Sequence, residues 1–370
     1  MNVDELLELK IRLLTEGATI PEGHSKGRKG GAGPAGGRYF LLPNGSTVGI
    51  PIRQGELAKR YGSAPLEPTD DPKFWLYDNE IKLELIPKPV LSGSTNSEGL
   101  PYDQIALLHG RDCLATTVYQ SCRYWSTGDQ CKFCTIPVSL KIGRTILEKT
   151  PEQIAEVVKA AEATAAQILL TTGTPDLDDV GCNRLIDIVK GIRKVSDIPI
   201  AVQFEPPKDH GLLDKLAEAG VNAVGIHLES ADEKIREEMC PGKTNYGTTK
   251  LYRETWQYAL QLFGRGNVST YLLHGLGEDI ETTLEFVAEI AKMGVLPIVA
   301  PVRPSPESNL ATFTPTYVNK LDESVDLYKK IGRILYSEGL NPKETTAGCS
   351  SCGGCTPIQD AYDWAAVQEG

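Results

Sequence analysis

An α/β fold with parallel strands is what this sequence predicts, and three observations carry that expectation. From about residue 105, short apolar runs alternate with amphipathic segments of helical period. Helix-start and helix-stop residues punctuate the alternation at the right places. The residues after the apolar runs are rich in glycine, proline and polar side chains, as strand ends that form a site should be. About six strand–helix units can be counted, short of a complete eight-fold barrel, so a parallel barrel and an open sheet both fit.

Taken in order, residues 1–15 have the apolar spacing of a short amphipathic helix, with Leu6, Leu7, Leu9 and the run from Ile11 to Leu14. A glycine-rich stretch follows over residues 23–37; it lacks the phosphate-loop spacing and reads as an irregular loop, with a substrate-covering lid as the alternative. Residues 38–104 read as β-rich. Residues 38–42 and 47–52 flank a Pro-Asn-Gly turn, a hairpin signal, and residues 81–86 alternate as a half-buried strand does.

The strand pattern of the main unit falls on residues 106–108 with 115–118, then 168–171, 198–204, 223–228, 268–273 and 296–301. Helical segments lie between, over 151–166, 182–195, 212–219, 249–263 and 280–293. Thr150 followed by Pro151, Glu152 and Gln153 is a helix start, and Gly220 and Gly294 sit where helix C-caps belong. The periodicity ends near residue 335. The expected division is therefore an N-terminal helix, loop and β-rich subdomain over 1–104, a barrel over 105–335, and a cysteine-rich tail over 336–370.

The chain has 370 residues, 41% of them hydrophobic, and a net charge of −11. That balance disfavours a nucleic-acid partner, whose phosphates call for a basic surface. There is no apolar run long enough to span a bilayer, and the acidic start is unlike a secretory signal, so a cytoplasmic location without a membrane partner is expected.

Six of the nine cysteines fall in two tight sets, Cys122/Cys131/Cys134 and Cys349/Cys352/Cys355. In a cytosolic chain, such clustering points to metal ligation rather than disulfides. Three thiolates on one loop hold three irons of a four-iron, four-sulfur (4Fe-4S) cluster and leave the fourth open as a reaction site. A zinc ribbon needs a second C-x-x-C nearby, and the next lies at the far end of the chain. Cys113, Cys182 and Cys240 stand alone and read as buried structural thiols. The second set, C-x2-C-x2-C, fits an auxiliary iron–sulfur cluster, a zinc site or a redox-active or structural tail. Its missing ligand is open between Cys113, a histidine, a carboxylate and the substrate.

The first set follows the first parallel strand. Later strand ends read Thr171 to Pro175, Gln203 to Pro207, His227 to Ser230, His274 to Glu278 and Pro301 to Glu307. Five polar, glycine- or proline-bearing ends in series are a stronger signal than any one. Tyr124 and Trp125 read as packing for the cysteine loop or as substrate-facing groups. His227 and His274 read as either polar core or site residues, and Arg303 and Glu307 as loop or substrate-binding residues. His24, His109 and His210 read as incidental.

Over about residues 105–335 the chain resembles the radical S-adenosylmethionine (radical SAM) enzymes, most closely their biotin-synthase-like branch. The resemblance implies a partial (β/α)6 TIM-like barrel with a 4Fe-4S cluster on Cys122, Cys131 and Cys134. It implies that Phe133 lies near the SAM adenine and that Thr172, Gly173 and Thr174 receive the SAM amino group. Glu229, in the His227–Glu229 strand end, corresponds to the residue that holds the ribose hydroxyls. Arg253 corresponds to the partner of the SAM carboxylate, and Gly275 and Val302 to positions beside the adenine. The usual spacing is C-x3-C-x2-C. Here the first gap holds eight residues, which must fold back on themselves, and Ser126 to Asp129 suit a turn. The C-x8-C-x2-C spacing resembles the radical SAM protein of a nitrilase-containing conserved bacterial gene cluster.

The implied activity is reductive cleavage of SAM to a 5′-deoxyadenosyl radical that abstracts hydrogen from a small polar metabolite, with a flavodoxin- or ferredoxin-type electron donor. The same chemistry on a peptide or RNA, and an iron–sulfur electron carrier without SAM chemistry, are the alternatives.

Overall fold

The structure is a computed structural model that describes residues 1–24, 37–87 and 92–370. Most of the glycine-rich stretch lies outside the described residues. Among the described residues, thirteen strands form two sheets. The N-terminal sheet comprises β1 (Ala18–Thr19), β2 (Gly37–Leu41), β3 (Thr47–Pro51), β4 (Ala64–Pro68), β5 (Phe74–Tyr77) and β6 (Ile81–Leu85) in the order β1-β4-β5-β6-β2-β3. The expected hairpin is β2–β3, paired antiparallel from Gly37↔Pro51 to Leu41↔Thr47.

The second sheet holds β7 (Leu107–His109), β8 (Cys113–Thr117), β9 (Gln167–Thr171), β10 (Ile200–Phe204), β11 (Ala223–Ile226), β12 (Val268–His274) and β13 (Leu296–Pro301), side by side in sequence order. β8 to β13 are parallel, and β7 adds antiparallel at the β8 edge. Six parallel strands with helices between them make a partial (β/α)6 TIM-like barrel, as expected.

The local reasons are the ones the sequence carries. Thr150 caps the helix Pro151–Ala160 in a full capping box with Gln153, a device that contributes about 1 kcal/mol. That helix stops at Ala160 rather than continuing to 166. Thr249–Phe263 and Ile280–Met293 form over the expected residues, and Gly220 and Gly294 take the left-handed cap conformation at φ 102° and 103°. Strand residues alternate between two cores: Leu114, Ile168, Leu170, Val202 and Val224 face the surrounding helices, whereas Cys113, Ala115, Leu169, Ala201 and Ala223 face the barrel interior.

The C-terminal segment is an integral layer rather than a peripheral tail. Helix Ile358–Glu369 buries Ile358, Ala361, Trp364 and Ala365 in the main core. It packs on Leu321–Ser337 so closely that a Cβ on Gly332 would stand 2.2 Å from the Ala361 carbonyl oxygen. The first helix, Val3–Thr15, joins both bodies: Leu7 and Ile11 enter the barrel core, and Leu9, Leu13 and Leu14 enter the core of the N-terminal sheet. Residues 347–356 stop the N-terminal end of the barrel. Gln167 Oε1 accepts from the Gly348 N–H at 2.6 Å, and Gln167 Nε2 donates to Ser351 Oγ at 3.0 Å. The C-terminal strand ends form the opposite, site-bearing mouth.

Candidate functional site

The eight-residue gap folds back through a short helix, Arg123–Thr127, which ends on left-handed Gly128 at φ 82°. Its anchors are specific. Tyr124 Oη donates to Glu205 Oε2 at 3.0 Å, and Gly242 N–H donates to the Asp129 carbonyl at 2.9 Å. A Cβ on Gly242 would lie 2.4 Å from Tyr124 Cδ1, so the loop and the helix Pro241–Tyr246 meet where only glycine fits. Tyr124 is thus a buried packing residue of the loop. The base of the loop sits on β9: Arg123 N–H donates to the Thr174 carbonyl at 2.9 Å and Gly173 N–H to the Tyr119 carbonyl at 3.0 Å. A Cβ on Gly173 would stand 1.9 Å from the Ser121 carbonyl oxygen. That approach holds the Thr172–Thr174 turn against the cysteine loop.

Cys122, Cys131 and Cys134 are free, half-buried thiols. Burial raises the pKa of Cys122, and burial with the neighbouring Cys131 pushes Cys134 up to about 12. Cys131 is held well above the usual thiol range by a hydrogen bond with Cys240, then by burial. Thiolates here therefore need a cationic centre to offset their charge, which is what a metal ligand set does. Among the described residues, no three His, Cys, Asp or Glu side chains stand close enough to hold a single ion. One zinc would require sulfurs about 3.8 Å apart, given Zn–S bonds of about 2.3 Å. Three thiols on one loop are a donor set that suits three corners of a four-iron cluster.

Facing the loop is a cluster of charged groups. Lys243 Nζ donates to Glu229 Oε1 at 2.6 Å and to the His227 carbonyl at 3.3 Å. Burial alone would lower the Lys243 pKa, but Glu229 foremost, with Tyr252, Cys131 and Glu205, holds it well above the usual lysine range. Glu205 accepts from Thr174 Oγ1 as well as from Tyr124. Glu229 adopts φ 76° and is held there by backbone bonds to β12, Glu229 N–H to the Tyr271 carbonyl and Leu273 N–H to the Glu229 carbonyl. A non-glycine residue kept in that region stores strain of about 1–3 kcal/mol, a mark of functional positions.

Phe133 and Val302 meet in one apolar wall beside Cys131, together with Met239, Leu276 and Leu310. Both backbone polar groups of Val302 are already engaged, its N–H by the His274 carbonyl and its carbonyl by Tyr317 Oη. The position thus offers its side chain, not free backbone. Gly275, at φ 102°, is covered by Tyr317, which a Cβ would meet at 2.4 Å. Glu278 closes that turn, accepting from the N–H groups of Gly275 and Leu276, each at 2.8 Å.

Two expectations need correction. Arg253 is not at the mouth: it lies on the outside of the helix Thr249–Phe263 and forms a two-pronged pair with Glu289 at 2.7 and 2.9 Å, stacked on Phe286. The buried stripe of that helix is Tyr252, Trp256, Ala259 and Phe263, and Arg253 is about 100° round from it. His227 is not part of the charged cluster either. Its ring points into the barrel, edge-on to Tyr271 at 4.8 Å; Nδ1 accepts from the Tyr271 N–H, and Nε2 has no partner among the described residues. Burial, then Lys243, lowers its pKa to about 3, so the ring is neutral. Lys243, Glu205 and Cys240 are the site residues that sequence reasoning missed.

At the opposite end of the barrel, Cys349, Cys352 and Cys355 line the interior. Gln203 Nε2 donates to Cys349 Sγ at 3.2 Å, Tyr271 also hydrogen-bonds Cys349, and Tyr39 Oη is 3.9 Å from Cys355 Sγ. The hairpin β2–β3 covers this end, with the Gly49 N–H donating to the Gly354 carbonyl at 2.7 Å.

With that geometry in place the sequence match is specific: residues 128–289 match the profile of the radical SAM superfamily. The chain thus carries a radical SAM domain, a family that implies a four-iron cluster and SAM. The match begins within the enlarged gap, so Cys122 lies just outside it and Cys131 and Cys134 within.

Among solved structures, the chain is similar to methylornithine synthase (PylB), at 20% identity and TM-score 0.47, over 62% of this chain and 64% of that one. It is similar to the FeFe-hydrogenase maturase HydG from Carboxydothermus hydrogenoformans, at 18% identity and TM-score 0.44, over 62% of this chain and 52% of that one. A radical SAM methyltransferase from Sphaerobacter thermophilus aligns at 18% identity and TM-score 0.42, over 77% and 78%. At TM-scores this low the likenesses carry no weight of their own. The chain spans about two thirds or less of the first two proteins' lengths. No curated protein matches the sequence. No helix among the described residues is long and apolar enough to cross a membrane.

Proposed function

We propose that this enzyme binds SAM on a four-iron cluster held by Cys122, Cys131 and Cys134 and uses it to abstract hydrogen from a small polar metabolite inside the barrel. The observation that carries this reading is the placement of the three-thiol loop directly opposite the Glu205–Glu229–Lys243 cluster at the strand ends. When bound, cluster and SAM supply one-electron cleavage of the sulfonium and with it a hydrogen-abstracting species.

The chain's own residues do the rest. Glu229, fixed by its backbone ladder, presents a carboxylate for hydroxyl groups, with Lys243 bonded to it. The Thr172–Thr174 turn, pressed against the cysteine loop by Gly173, offers backbone and hydroxyl partners to an ammonium group. Phe133, Val302 and Leu276 form a dry wall for an aromatic base. The neutral His227, with a free Nε2 inside the barrel, gives a polar substrate a hydrogen-bond partner. The second cysteine set holds an auxiliary iron–sulfur cluster in this reading, and a flavodoxin- or ferredoxin-type protein delivers electrons.

Anaerobic reconstitution with iron and sulfide, followed by dithionite and SAM, tests the proposal. Formation of 5′-deoxyadenosine that disappears in the Cys134→Ala protein supports it. A reconstituted, iron-loaded protein that never cleaves SAM under any reductant removes it.

A further inference from the structure

The second cysteine set has three members in sequence and a fourth in space. Resting on the auxiliary-cluster reading above, we propose that Cys113, the first residue of β8, is the missing ligand. Cys113, Cys349, Cys352 and Cys355 then enclose one iron–sulfur cluster at the stopped end of the barrel, with no open iron.

Position comes first. Alternation along β8 turns Cys113 and Ala115 inward and Leu114 outward. The Cys113 side chain thus shares one interior layer with Ala347, and Cys349 and Cys352 pack against that layer. Cys352 packs on the layer that holds Cys113, whose own thiol donates to the Leu114 carbonyl at 3.9 Å. That packing links the start of the barrel to the segment that stops it.

Space comes next. Barrel interiors of this kind are ordinarily filled by layers of bulky branched side chains. Here the layer at the stopped end is Cys113, Ala115, Leu169, Ala201, Ala223 and Ala347. Four alanines keep the side chains of that layer small. The backbone also gives way: a Cβ on Gly110 would stand 2.7 Å from Cys352 Sγ.

The surroundings suit a bound cluster. Gln203 and Tyr271 both hydrogen-bond Cys349, and Tyr39 lies beside Cys355. Neutral donors to ligand sulfur stabilise the charge of a thiolate cluster and tune its potential. A cavity of about 430 Å³ reaches Cys352 from outside, lined also by Arg111, Asp112, Ser351 and Gln359. It is a route to this centre that does not pass through the mouth. Four protein thiolates leave no iron for substrate, so this centre is an electron-carrying or structural one.

The test uses the full chain with Cys122, Cys131 and Cys134 all changed to Ala, so that only the second centre can load. Iron, acid-labile sulfide and zinc are measured after anaerobic reconstitution, with EPR spectra of oxidised and reduced protein. About four irons and four sulfides per chain are expected. Adding Cys113→Ala should cut the iron by at least a quarter and bring up the signal of a three-iron cluster. Adding Cys113→Ser, which keeps the volume and an oxygen ligand, should keep most of the iron but shift the EPR spectrum of the reduced protein. Full iron with an unchanged spectrum in the serine variant overturns the Cys113 assignment alone, and still does so if the alanine variant fails to fold. No iron in the parent triple variant, or zinc without sulfide, overturns the auxiliary-cluster reading itself.

Discussion

The two ends of the barrel make a natural pair. Each has a three-cysteine loop with a further thiol against it, Cys240 beside Cys131 at the mouth and Cys113 beside Cys352 at the stopped end. Their surroundings differ in kind. At the mouth the neighbours are charged: Glu205, Glu229 and Lys243, bonded to one another or to the cysteine loop. At the stopped end they are the neutral donors Gln203 and Tyr271, set among alanines. Charged groups that satisfy each other can exchange those bonds for a charged ligand's. Neutral donors to sulfur suit a resident group. On the proposed reading the mouth is an exchange site and the stopped end a permanent one.

The contrast can be broken most sharply at Glu229. Glu229→Gln removes the carboxylate offered to ligand hydroxyls and leaves Lys243 without its main partner. SAM affinity, measured by anaerobic equilibrium dialysis, should fall about 10- to 100-fold, the range for losing one charged hydrogen bond. Retained affinity would mean the mouth cluster is only structural.

Buried lysines run the other way. Lys10, near the stopped end, is buried against Asp360. Lys149, near the mouth, is buried with only the Thr117 carbonyl as partner, and burial lowers its pKa to about 7. Between about pH 7 and its ordinary range near 10.5, the unfolded chain binds a proton that the folded chain does not, so stability rises with pH across that window. Below about 7 both states are protonated and the slope vanishes. Lys149→Met should remove up to about 1.4 kcal/mol per pH unit of that slope, read from urea midpoints between pH 7 and 9. Equal slopes in both proteins would show that Lys149 stays charged in the fold.

Smaller effects belong to residues that ligate neither centre. Arg253→Ala should cost at most about 1 kcal/mol, the value of an exposed ion pair, and leave SAM affinity unchanged. A loss of affinity would restore the residue to the site. Cys240→Ser should change 5′-deoxyadenosine formation by less than about threefold, because the mouth keeps an open iron and needs no fourth thiolate. Loss of iron from that variant would make the two ends alike.

Much of this was legible in the sequence because period and punctuation are local properties. The six parallel strands, the Thr150 cap and the glycine C-caps follow from spacing alone, and so does the position of the three-thiol loop after the first parallel strand. Arg253 was misplaced for a readable reason. The stripe Tyr252, Trp256, Ala259, Phe263 fixes the phase of its helix and turns Arg253 outward. Lys243 and Glu205 gave no such signal. One lies in a six-residue helix too short for periodicity, and the other is brought to the cysteine loop by Tyr124 and Thr174 from separate segments. The packing of Cys113 near Cys352 depends on a strand start meeting the far end of the chain, which only the three-dimensional fold reveals.

With the proposed cluster bound, that pairing would also change the connectivity of the polymer. Cys113 and Cys352 are 239 positions apart, and ligands bridged through one core would turn the barrel into a closed ring. Tying a loop of that length removes denatured-state freedom worth on the order of 5 kcal/mol, comparable to the entire stability of many domains. Resistance to denaturant then becomes a matter of oxygen history. A chain that has lost its core to air is a linear polymer again, free to peel from its C-terminal end.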